Sequence, residues 1–113
     1  MDTDIHSEVT SIAGETATLH CLESVGKDVT WQYQRSLAYL PEYVYYIGDV
    51  YPHFQPRFTV NRSVSQQYDL VIAKAEVTDS GEYLCIEDGG QGVRHVYQLR
   101  IIGWCLLLPI FMD

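Results

Sequence analysis

Two cysteines set the strictest limit on this chain. Cys21 and Cys85 lie 64 residues apart, each at an alternating apolar position inside a strand-like run, TATLHCL and EYLCIE. Alternation marks strands with one buried face, so both sulfurs point inward. The arrangement suggests one buried bridge between two sheets and with it an oxidising compartment; two buried free thiols are the alternative. With a third cysteine, Cys105, the set fits none of the close spacings of zinc sites or dithiol redox motifs.

The rest of the chain agrees with a fold made of strands. Its 113 residues suffice for one hydrophobic core and not for two. SEVTSI, TATLHCL, VTWQYQ, EYVYYIGDVY, RFTVNRS, QYDLVI, EYLCIE and VRHVYQLRI are strand-like runs separated by turn signals, and no long helical period competes with them. About nine short strands predict a two-layer antiparallel β-sandwich. Alternation sends Val29, Trp31, Tyr33, Phe58, Val60, Leu70, Ile72, Tyr83, Tyr97, Leu99 and Ile101 inward. It sends Gln32, Gln34, Tyr43, Tyr45, Leu84, Ile86 and Val96 outward, while Tyr46 joins the core and His20 is a solvated strand residue.

Composition narrows the function. A net charge of −8 repels phosphate backbones and anionic membrane surfaces, and the seven basic residues are scattered, so nucleic acid is not an expected partner. No serine sits in a nucleophile elbow. His6, His20, His53 and His95 lack metal-site pairing, so neither catalysis, nor a metal or other cofactor, nor a small-molecule substrate is expected. MDTDIHSEV is polar and acidic where a leader needs a basic and then an apolar stretch, and the chain reads as a trimmed mature form. From residue 103 to residue 113 runs a hydrophobic tail. IIGWCLLLPIFM is shorter than the ~20 residues that span a bilayer, and reads either as the start of a membrane anchor or as a tail.

The order GETATLHC, VTW, RFTV, QYDLVI and DSGEYLC resembles an immunoglobulin domain of the variable set, over roughly residues 5 to 102. The resemblance implies a sandwich with Greek-key connections occupying residues 1–102. It implies a bridge between Cys21 and Cys85 with Trp31 packed beside it, and a tyrosine corner at Tyr83. It also implies an ion pair between Arg57 and Asp79, for which two unrelated surface charges are the alternative. The segment from residue 32 to residue 56 is too long for one connection and fits the two extra edge strands, C′ and C″, of variable domains.

Domains of this kind are extracellular recognition modules. Two surfaces are available: the end loops, and the outer face of strands G, F, C and C′. Gly90, Gln91 and Gly92 resemble the GxG of a joining segment, but a plain hairpin around Asp88, Gly89 and Gly90 explains the glycines better, which weakens an antigen-receptor reading. The sheet face is richer. Six of the nine tyrosines (Tyr33, Tyr39, Tyr43, Tyr45, Tyr46 and Tyr51) fall between Trp31 and Arg57, and tyrosine is enriched in interface anchors. The expected partner is a protein, either a second copy in a homodimer or another surface protein, met through Gln32, Gln34, Tyr43, Tyr45, Leu84, Ile86 and Val96. A structural spacer, with a polar face, is the rival reading. Asn61-Arg62-Ser63 is an acceptor site for glycosylation, and alternation turns Asn61 to solvent.

Overall fold

The computed structural model describes residues 4–21, 28–62, 68–87 and 94–103. The expected Asp88–Gly92 turn, Cys105 and the apolar tail lie outside them. Among the described residues, nine strands form two sheets. The larger has six strands in the order β1 (Ile5–Ile12), β9 (His95–Ile102), β8 (Gly81–Glu87), β3 (Val29–Gln34), β4 (Glu42–Tyr46) and β5 (Asp49–Val50). The smaller runs β2 (Ala17–Leu19), β7 (Tyr68–Ile72), β6 (Phe58–Arg62). All pairs are antiparallel except β1 with β9, which run parallel in register from Ile5 opposite His95 to Ile12 opposite Ile102. Alternation cannot reveal that exception, since it is blind to strand direction.

The core fills the space between the sheets. Leu19, Val29, Trp31, Leu70, Ile72, Tyr83 and Cys85 are fully buried, and at about 25 cal/mol per Å² such burial is the main force closing the sandwich. Cys21 and Cys85 form a disulfide, Cα atoms 5.9 Å apart, that ties β8 to the chain just beyond β2 and so links the two layers. Trp31 lies against Tyr97 with ring centroids 6.3 Å apart. Its indole N–H donates to the Tyr68 carbonyl at 2.7 Å, so a bulky side chain crosses the core without an orphaned donor.

The base of the sandwich is fixed by polar contacts. Arg57 donates from both terminal nitrogens to Asp79, at 2.8 and 2.9 Å, a bidentate pair. Asp79 also accepts the Glu76 backbone N–H at 2.8 Å, closing the 3-10 turn Val77–Asp79. Tyr83 donates its hydroxyl to the Asp79 carbonyl at 2.6 Å, the expected tyrosine corner. Burial pushes the Tyr83 phenol far above its ordinary range, so it remains a donor at any physiological pH. The Arg57 guanidinium is held more firmly charged, chiefly by its bond to Asp79.

Strands β4 and β5 turn through Ile47 and Gly48 alone, with φ of 49° and 82°. Two positive φ values give a mirror-image turn whose twist suits a hairpin, and asparagine followed by glycine is its preferred sequence. Isoleucine is branched at Cβ and ill suited to this region. Ile47→Asn is therefore expected to raise the unfolding free energy by about 1 kcal/mol, measured by urea denaturation.

Candidate functional site

The outer face of the six-stranded sheet is built row by row from strand register. His6, Val96, Leu84, Gln32 and Tyr43 form one row across β1, β9, β8, β3 and β4. Glu8, Gln98, Glu82 and Gln34 form the next. Gln32, Gln34, Leu84 and Ile86 are half-buried and Tyr43 is exposed, as alternation predicts.

One outward assignment is corrected, and a second residue faces outward but is covered. Tyr45 is buried, 2% exposed, because the pairing of β3 with β4 slips between Trp31 and Gln32. Gln32 opposes Tyr43 while Trp31 opposes Tyr45, so Val44 is an extra residue and both Val44 and Tyr45 enter the core. The Tyr45 hydroxyl donates to Asp28 at 3.2 Å. The same slip overturns the core placement of Tyr46, which is exposed. Val96 does lie in the outer row, but it is 7% exposed. With β1 alongside, β9 is an interior strand, and Val96 is flanked by His6 on one side and Leu84 on the other.

What the bulge turns outward is an aromatic cluster. Tyr43 and Tyr46 stack with centroids 4.6 Å apart and planes 16° from parallel, and Tyr51 meets Tyr43 at 5.9 Å. Ile47, next in the chain at the hairpin tip, is 67% exposed, and Leu37 and Leu40 in the β3–β4 connection are 96% and 86% exposed. Between Arg35 and Arg57 the chain has no lysine or arginine, only Glu42 and Asp49. Tyr46, Tyr51 and Ile47 were not read from the sequence as part of this face. The tyrosine count pointed to the segment, but their orientation depends on the slipped register.

The amides behave differently from one another. Gln34 donates to its own chain's Tyr39 carbonyl at 2.8 Å, which ties the β3–β4 connection down. Gln98 donates to Glu82 at 3.0 Å in the adjoining row. At the base, Tyr33, Arg35, Tyr39, Glu42, His53 and Phe54 help line a cleft of about 400 Å³. There Arg35 lies over the Tyr39 ring at 5.1 Å, and Tyr33 donates to the Ser80 carbonyl at 2.8 Å. No cluster of metal-ligating residues occurs among the described residues, and Asn61 is exposed on β6 of the opposite sheet.

The disulfide, the buried tryptophan, the tyrosine corner and the pair of added edge strands stand together in one sandwich, and a family model of the immunoglobulin V-set domain matches residues 6–101. The chain belongs to the immunoglobulin V-set family. Comparison with curated proteins returns no match. V-set domains are recognition modules, generally non-enzymatic, typically extracellular and engaged in protein–protein contacts, and the disulfide of this V-set domain fits an extracellular setting. No helix among the described residues is long and apolar enough to cross a membrane.

Proposed function

We propose that this V-set domain is an extracellular module that binds another protein through the outer face of its six-stranded sheet. The stacked Tyr43–Tyr46 pair carries the reading: two large rings hold each other in solvent on the face that also bears half-buried Leu84 and Ile86. Rigid aromatic anchors next to an apolar centre, with amides around them, have the make-up of an interface core and rim. A structural spacer has no use for such a patch. Asp49 and Glu82 share this face, so a second copy docked on it would bring acid toward acid. A different protein with cationic groups at its rim, able to stack on tyrosine and pair with Asp49, fits better. Glycosylation at Asn61 would sit on the opposite sheet and leave the face clear.

Fluorescent tetramers of the domain, titrated on a panel of animal cells, test the face. Ile86→Glu is expected to weaken staining by about 2 kcal/mol, roughly thirtyfold, because a charge is buried without a partner. Tyr43→Ala, which removes the stack, is expected to weaken it by a comparable amount. Both variants should keep the parent's circular dichroism, since neither side chain enters the core. Unchanged staining by both would move the binding site to the end loops.

A further inference from the structure

We infer that β1 is a pairing edge for a second copy of this chain, and that two domains join there, antiparallel about a two-fold axis, into one continuous twelve-stranded sheet. Among the described residues the larger sheet ends on one side at β5, only two residues long, and on the other at β1, eight residues long. Exposed edges of that length are normally blunted by lysine, proline or a bulge. IHSEVTSI has no lysine or proline, and its ladder with β9 runs through all eight residues without a slip. Ile5 at its start is 44% exposed.

The hydrogen-bond phase fixes which groups are offered. Ile5 N–H donates to the Arg94 carbonyl at 2.8 Å and Ala13 N–H to the Ile102 carbonyl at 2.9 Å. With a period of two, the odd positions turn to β9, and the backbone N–H and C=O of His6, Glu8 and Thr10 turn to the open edge. An antiparallel copy must therefore oppose even positions with even positions. Glu8 opposite the second copy's Glu8 sets like charges on the axis, and Glu8 opposite Thr10 leaves the carboxylate without a complement. His6 opposite Glu8 centres the axis on Ser7. It pairs an imidazole with a carboxylate twice on the outer face, and it sets Ile5 against Val9 twice on the inner face.

This axis stands perpendicular to the sheet, so the two outer faces point the same way. A dimer built like this presents two tyrosine clusters side by side and leaves both free. If the proposed face binds a partner anchored on a surface, the pair engages it bivalently, with the gain in avidity that follows. Only this last consequence rests on the proposed function.

Sedimentation of the full chain from about 1 µM to about 1 mM tests the pairing, and a reversible dimer is expected in that range. His6→Glu, which opposes two carboxylates, should raise the dissociation constant about tenfold or more. The double exchange His6→Glu with Glu8→His should restore it, because the same two pairs re-form with their ends reversed. Both side chains are exposed, and circular dichroism confirms that the variants fold. A monomer throughout, or a dimer indifferent to the exchange, would overturn the inference. So would a dimer abolished by Ile86→Glu and untouched by the β1 variants, which would place self-contact on the sheet face. Conversely, cell staining indifferent to Ile86→Glu alongside an exchange-sensitive dimer would sink the proposed face and leave the edge standing.

Discussion

Asp79→Ala is expected to lower the unfolding free energy by about 3 kcal/mol in urea denaturation. Asp79 is 7% exposed and its carboxylate accepts three hydrogen bonds, two from Arg57 and one from the Glu76 backbone. Truncation strands the guanidinium and frees the turn that positions the Asp79 carbonyl under the Tyr83 hydroxyl. The figure belongs at the lower end for buried pairs. The Arg57 side chain is 29% exposed and keeps carbonyl acceptors at Ala73 and Lys74, so solvent and backbone recover part of the loss. Asp79→Asn keeps an acceptor for the Glu76 N–H and should cost roughly half as much. A loss under about 1 kcal/mol for the alanine would class the pair with surface ion pairs.

Gly81→Ala is expected to cost about 3 kcal/mol or more, for two separate reasons. Gly81 has φ of 147°, a region that side-chain-bearing residues rarely enter. A Cβ there would also stand 2.7 Å from Tyr33 Cε1 and 2.9 Å from the Gln34 carbonyl oxygen. Tyr33 cannot yield cheaply, because its hydroxyl is anchored on the Ser80 carbonyl and its ring lies 4.8 Å from that of Tyr83. Strain and overpacking each contribute on the order of 1–3 kcal/mol. Thermal unfolding of Gly81→Ala beside Gly48→Ala separates them, since a Cβ at Gly48, with φ of 82°, meets no atom within 4 Å. A loss at Gly81 no larger than at Gly48 would show that the close approach carries no weight.

These two residues and the tyrosine after them show why the frame of the domain was legible. In DSGEYLC each residue type is demanded locally: an acid to cap the turn and hold Arg57, a glycine where β8 passes against β3, a tyrosine to bond back to the turn, a cysteine facing the opposite layer. Such demands act over a few residues and leave a spacing that can be read. The proposed binding face depends on what the chain does not encode locally. Tyr45 and Tyr46 stand on the sides opposite to those that plain alternation gives, because β4 slips against β3 and carries both Val44 and Tyr45 into the core. Val96 is covered because a strand distant in sequence, β1, lies along it. Gln34, read as a group offered to a partner, also donates to the Tyr39 carbonyl of its own chain.

The extra residue at Val44 has a consequence for how such a surface changes through descent. Most substitutions on β4 alter one contact at a time. Deleting Val44 would bring β4 back into step with β3: Tyr45 would stay inward and Tyr46 outward, but the bend and added twist of the bulge would go, re-aiming the Tyr43–Tyr46 pair in a single event. β3, β8 and the disulfide would keep their places, because their register is set on the other side of β3. Length variation at this one position is thus a route by which a lineage re-aims its exposed aromatic cluster abruptly while its fold stays the same.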